Sequence, residues 1–176
     1  MSGKVLIPFC AALCFGLCAC GTLQKGEENR GAKSEPEAEQ KFEPKSITDV
    51  HDFLKKNKVY YLATVDGDQA RVRPFGTVML YEGKLYIQTG RKKNVSKQIG
   101  KNGKVEICTF DGKCWLRLTG TLVDDNRRVA KAAMLDRYPS LKKMYSPDDA
   151  NTQVLYFKDA TAVFNFFGRP QITVKF

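Results

Sequence analysis

Hydrophobic positions along the chain change their spacing from segment to segment, and each change marks an element. Behind Ser46, residues Ile47, Val50, Phe53 and Leu54 recur at helical spacing, and Ser46-Ile47-Thr48-Asp49 is an acidic variant of a helix-start box. His51 lies off that apolar stripe and is expected on the solvent side. Residues 59–65 (VYYLATV) read as a strand that Asp66-Gly67-Asp68 turns back. Residues 69–98 then read as strand, tight turn, strand, and a basic run that opens a helix. Arg71, Val72, Arg73, Phe75, Val78 and Leu80 make the first of these one β-rich run with Pro74 inside it. Glu82-Gly83-Lys84 supplies the turn, and Leu85-Tyr86-Ile87 resumes the strand. By the two-residue period Arg71, Arg73 and Phe75 share a face. Pro74 points the other way and removes a ladder donor, which suits an edge or a bulge.

Val95 and Ile99 give a short helix its inner side. Residues 105–110 and 115–123 read as two strands joined at Asp111-Gly112, a strong hairpin signal. Asp124-Asp125-Asn126 is expected to start the next helix, with its acidic groups at the positive end, and Pro139 stops that helix after Tyr138. Leu141 to Tyr145 add a turn before Ser146-Pro147-Asp148-Asp149. Residues 153–157, 160–166 and 172–176 read as strands, the last two separated by a Gly168-Arg169-Pro170 turn. Six or seven strands with short hairpins and a few helices argue for an α+β barrel.

The 176 residues leave room for one ordinary domain plus a tail. Met1-Ser2-Gly3-Lys4 followed by an apolar run of about sixteen residues has the character of a secretory signal, and is short for a membrane span. Leu17-Cys18-Ala19-Cys20 looks like a bacterial lipobox, which implies cleavage before Cys20 and a lipid on its sulfur; a retained anchor and cleavage elsewhere are the alternatives. The expected organisation is a signal peptide (1–19), a disordered tether (20–45) too poor in apolar residues to pack, and a domain (46–176). The protein would then be extracytoplasmic and membrane-anchored.

Four of the six cysteines (10, 14, 18 and 20) lie at the N-terminus, so the domain is no disulfide scaffold. A two-residue turn at Asp111-Gly112 places Cys108 opposite Trp115 and sends the Cys108 and Cys114 thiols to opposite faces, as free thiols. His51 is the only histidine and no cysteine pair has ligand spacing, so no metal site is expected. No Ser/His/Asp set or carboxylate pair suggests hydrolysis. The formal charge is +10; losing the signal removes only Lys4, leaving 28 − 19 = +9. Such a charge suits nucleic acid or an anionic lipid surface, yet the cations are dispersed and export argues against nucleic acid.

One cluster changes the picture. Thr89-Gly90-Arg91-Lys92-Lys93-Asn94 brings a hydroxyl, a glycine, cations and a helix start within six residues, which suits a phosphate and equally describes a solvated basic turn. Its surroundings run in a definite order: Arg73-Pro74-Phe75-Gly76, Gln88-Thr89, Lys92-Lys93-Asn94, Gln98-Ile99, then Asn102-Gly103-Lys104-Val105. That order resembles the pyridoxamine 5′-phosphate oxidase-like family, the FMN-binding split barrels, from about Ile47 to Phe176. The resemblance implies a split β-barrel with flanking helices, paired as a homodimer with two FMN molecules at the seam. It implies that Arg73 touches FMN, that Pro74, Phe75 and Gly76 line the ring through backbone, and that Lys92 and Lys93 hold the phosphate with Thr89 and Asn94, with Gln88 in the same set. Arg71 would aid the phosphate; Arg71 and Arg73 also read as edge cations.

Two departures qualify the resemblance. Where the oxidases carry a polar flavin contact, this chain has Trp115, which suits a core or a dimer interface. Their C-terminal substrate segment uses Arg-x-His, whereas Arg169-Pro170-Gln171-Ile172 has no histidine. The implied activity is that of a small flavin reductase acting on nitro compounds or quinones. Because an exported chain would have to find FMN outside the cytoplasm, a non-enzymatic, lipid-anchored flavin- or haem-binding module is the alternative, and a tethered protein with an empty pocket is a third.

Overall fold

Ser46 opens the first helix through a capping box: its hydroxyl accepts from the Asp49 N–H while the Asp49 carboxylate accepts from the Ser46 N–H. Helix α1 (Ile47–Asn57) follows. The structure is a computed structural model that describes residues 41–176. The expected signal peptide, Cys20 and the tether as far as residue 40 lie outside the described residues. The last residues of the expected tether pack onto the domain instead: Phe42 stacks on Phe53 and meets Phe164 edge-on, and Arg169 binds the Glu43 carboxylate and the Phe42 carbonyl. One aromatic ring is enough to dock a segment that is otherwise polar.

The remaining elements are β1 (Tyr60–Asp66), β2 (Gln69–Phe75), β3 (Met79–Tyr81), β4 (Lys84–Gly90), α2 (Asn94–Lys101), β5 (Lys104–Phe110), β6 (Cys114–Asp125), α3 (Arg128–Arg137), a 3-10 turn (Pro139–Lys143), β7 (Thr152–Phe166) and β8 (Arg169–Lys175). The strands form one antiparallel sheet in the order β2-β1-β5-β6-β7-β4-β3, with β8 also on β7. Leu62, Ile87, Ile107, Leu116, Leu118, Leu155 and Phe164 from five strands share one core with Val50, Phe53 and Leu54 of α1. A sheet whose distant strands share a core is curled into a barrel. Among the described residues no ladder joins β2 to β4, so the barrel is split there.

Several expectations need correction. The run from Arg71 to Leu80 is two strands: β2 pairs only with β1, and β3 pairs with β4, at opposite ends of the sheet. Pro74 offers no ladder donor, and Gly76 approaches α1's exit so closely that a Cβ would lie 3.1 Å from the Lys58 carbonyl oxygen. The expected strands 153–157 and 160–166 are one 15-residue strand, β7. Asp159, at φ 53°, and a register shift against β6 make a bulge there rather than a turn. Asp124 and Asp125 stay in β6, and α3 starts later behind Arg127 without a side-chain cap. Their carboxylates bind arginines instead: Asp124 takes Arg91, and Asp125 takes Arg127.

The β5–β6 hairpin turns one residue later than expected, on Gly112-Lys113. Asp111 closes it, its N–H donating to the Cys114 carbonyl and its carboxylate accepting from the Lys113 and Cys114 N–H groups. Cys108 therefore faces Arg117, and Phe110 faces Trp115. A slip of two positions preserves faces, so Cys108 is still exposed and Cys114 buried, both as free thiols. His51 is buried, not solvated: only 6% of it is exposed, and its Nδ1 lies 2.7 Å from Asp52 Oδ1. The helical stripe is wider than the spacing of its apolar residues, because β3 also packs beside α1.

Candidate functional site

The uncovered edge of β4 builds the site. β3 reaches only as far as the Met79–Tyr86 pair, which leaves Gln88, Thr89 and Gly90 without a neighbouring strand on that side. Thr77 partly replaces the missing strand, its Oγ1 accepting from the Gln88 N–H at 3.0 Å. A cleft of about 260 Å³ opens here in the split of the barrel. The β2 end supplies Arg73, Pro74, Phe75, Gly76 and Thr77; β4 supplies Gln88 and Thr89; the start of α2 supplies Lys93 and Val95. Seven of the nine residues expected from the sequence thus meet around one cavity. Lys92 and Asn94 are exposed beside it and do not line it, and Arg71 turns away towards Asp66, 3.5 Å distant.

Three polar atoms in this wall lack partners. Both amide atoms of Gln88 and the Thr89 hydroxyl are buried without a hydrogen bond, in residues only 5% and 3% exposed. Leaving such a group unsatisfied costs about 1–3 kcal/mol, so each of these atoms would gain from a hydrogen-bonding partner.

Arg73 is held rather than free. Its guanidinium donates to Thr64 Oγ1 and Gln98 Oε1, each at 2.7 Å, and to the Leu62 carbonyl at 3.1 Å. Thr64 also donates to Gln98 Oε1, so β1, β2 and α2 are tied at one point beneath the cleft. Burial, then the charge of Arg71, lower the Arg73 pKa from the ordinary arginine value, and the group remains a cation.

The loop from β4 to α2 divides its charges. Arg91 is spent on a fork to both oxygens of Asp124 and on Asn126. Lys92 and Lys93 have no ion-pair partner among the described residues. Helix α2 has no side-chain cap and no acidic residue in its first turn. The Lys93 N–H is used by the Gly90 carbonyl and the Ser96 N–H by Lys93, so the N–H groups of Asn94 and Val95 remain open. Two free cations and a bare positive helix end thus concentrate positive charge at the mouth of the cleft.

Sequence reasoning missed the opposite wall. Leu141, Met144 and Tyr145, from the segment after Pro139, close the cleft from the other side. Turn residues announce that this segment is irregular, but nothing in them says which strand it covers.

The sequence matches the pyridoxamine 5′-phosphate oxidase family over residues 48–163. No curated protein matches it. Among solved structures, it is similar to a NimC/NimA family protein of Clostridium acetobutylicum, with 45% identity over 74% of this chain and 92% of that one and a TM-score of 0.72. General stress protein 26 of Bacillus anthracis shares the fold at 16% identity, over 69% of this chain and 94% of the other, with a TM-score of 0.56. A haem-binding protein of Mycobacterium smegmatis does so at 15% identity over 68% of this chain and 53% of that one, with a TM-score of 0.53.

Proposed function

The chain belongs to the pyridoxamine 5′-phosphate oxidase family, and on that premise we propose that it binds FMN in the split of its barrel and acts as a small flavin-dependent reductase. The observation that carries this reading is the set of unpartnered Gln88 and Thr89 atoms beside two unpaired lysines and an uncapped helix. These groups fit the molecule: cations and open N–H groups suit its phosphate, and an amide with a free donor and a free acceptor suits the polar edge of its ring. Bound flavin supplies the hydride chemistry. Lys92, Lys93 and the Asn94 and Val95 N–H groups hold the phosphate, Gln88 and Thr89 fix orientation, and Pro74 and Phe75 keep water from the ring. Arg73 acts from below, by holding β2 and α2 in register around the cleft.

Proteins of this family are often homodimers, and a second copy suits this chain. Tyr61, Val72 and Phe110, each more than half exposed, stand on one outer face of β1, β2 and β5. Pyridoxamine-phosphate oxidation itself is disfavoured, because Arg169 is engaged by Glu43 and lies over the Phe166 ring. Imidazole ligation of haem is disfavoured as well, since the only histidine borders a different cavity, between α1, β3 and α3. Dialysed protein is expected to quench flavin fluorescence on titration with FMN and to bind riboflavin about tenfold or more weakly, because riboflavin lacks the phosphate. Unchanged fluorescence would remove the cofactor, and a colourless, inert protein would favour a tethered module with an empty pocket.

The lipobox-like Leu17–Cys20 segment supports a lipid on Cys20 and a position outside the cytoplasm. Cells making the full chain should incorporate labelled palmitate into it, and Cys20→Ala should abolish that label. Label persisting in the variant would contradict the assignment.

A further inference from the structure

Resting on the FMN reading above, we infer that Asn151 is a positioning residue that shapes the β4–α2 loop for a phosphate and so gives the site its preference for FMN over riboflavin. Its carbonyl accepts from the Arg91 N–H at 2.8 Å, and its Oδ1 accepts from the Lys92 N–H at 3.1 Å. One residue, directly ahead of the first residue of β7, thus holds two consecutive amides of the loop, across 59 positions of sequence. With those amides occupied and the Lys93 N–H on Gly90, the open donors are confined to Asn94 and Val95, beside the Lys93 side chain. Gly90 admits the clasp: a Cβ there would lie 3.1 Å from both Asn151 Oδ1 and the Tyr145 hydroxyl.

Asn151 is itself held. Asp149 accepts from the Ser146, Asn151 and Thr152 N–H groups, closing the turn that presents it. At the other end of the same connector the Tyr138 hydroxyl accepts from the Val78 N–H and donates to the Val78 carbonyl, both at 2.9 Å. Residues 138–151 therefore form a strap from the β2–β3 crossing to the β4–α2 loop, and the wall formed by Leu141, Met144 and Tyr145 is its middle. The strap closes the apolar side of the cleft and sets the anion side with a single asparagine.

The test compares FMN and riboflavin titrations of the full chain with those of Asn151→Ala and Asn151→Asp, and records thermal midpoints. Asn151→Ala should weaken FMN binding about tenfold, the scale of one lost hydrogen bond plus loop disorder, and change riboflavin binding less than about twofold. Asn151→Asp keeps an acceptor for Lys92 but adds a negative charge, so it should hold the thermal midpoint while weakening FMN at least as much. A purely structural role would lower both flavin affinities and the midpoint together, and that pattern, or unchanged FMN binding in Asn151→Ala, overturns the inference. If the unaltered chain binds both flavins equally, or neither, the phosphate site proposed above is itself wrong.

Discussion

Lys93→Glu is expected to weaken FMN binding about a hundredfold and to alter riboflavin binding less than about threefold. Lys93 lines the cleft, precedes α2 and has no ion-pair partner among the described residues, so its charge is available to a ligand. Reversal replaces an attraction by a repulsion beside the open Asn94 and Val95 N–H groups proposed to hold the phosphate. The position is exposed, which moderates the effect through screening, so the difference between Lys93→Glu and the unaltered chain should narrow as salt rises towards 1 M. Fluorescence titrations at two ionic strengths measure both quantities. Equal losses for FMN and riboflavin would show that Lys93 supports the fold of the cleft and not a phosphate.

Asp125→Ala should destabilise the domain by about 3 kcal/mol and lower its thermal midpoint by roughly 10 °C. Asp125 ends β6 as a buried carboxylate that accepts from the Tyr86 hydroxyl at 2.9 Å and from the Arg127 guanidinium and N–H. Arg127 reaches onward to Glu82, so one cluster ties β4, β6 and the start of α3. Alanine strands the hydroxyl of a fully buried tyrosine as well as removing charge-assisted bonds. The Arg127 bond is the main cause that holds the Asp125 carboxyl at about 2, against burial that pushes it up.

Because that value is depressed in the folded state, the stabilisation is complete above pH 4 and is lost as pH falls from about 4 towards about 2. Asp149, pushed up by burial but held at about 2 by its backbone N–H bonds, contributes in the same window. At the alkaline end burial and then Asp125 raise Tyr86 to about 12, so its contribution is full below pH 10 and lost between about 10 and 12. Urea midpoints across these ranges should fall at both extremes for the unaltered chain. Asp125→Asn should flatten the acid limb, and an unaltered limb in that variant would rule out this carboxylate as its source.

Residue patterns alone carry much of this. The Ser46–Asp49 box does cap α1, Pro74 does lie on an edge strand, and Gln88, Thr89 and Lys93 do meet Arg73 and Phe75 at one cavity. The misses share a cause. His51 is off its helix's apolar stripe, yet neighbours that a helical wheel cannot represent cover it. Asp124 and Asp125 look like helix-starting acids, and two arginines brought from elsewhere in the chain or just beyond the strand capture them. Arg91 looks as available to a phosphate as the lysines beside it, and Asp124 and Asn126 already engage it.

By itself the sequence determined the periods, the turns and the basic junction, because a strand's alternation, a glycine's left-handed φ and a helix start depend on residues within a few positions of one another. Only the tertiary structure decided which edge of β4 stays uncovered, which lysines remain unpaired, and that a strap ending at Asn151 reaches their loop. Those outcomes turn on which distant groups compete for the same hydrogen bonds and the same buried space. Such competition has no signature within any single stretch of chain.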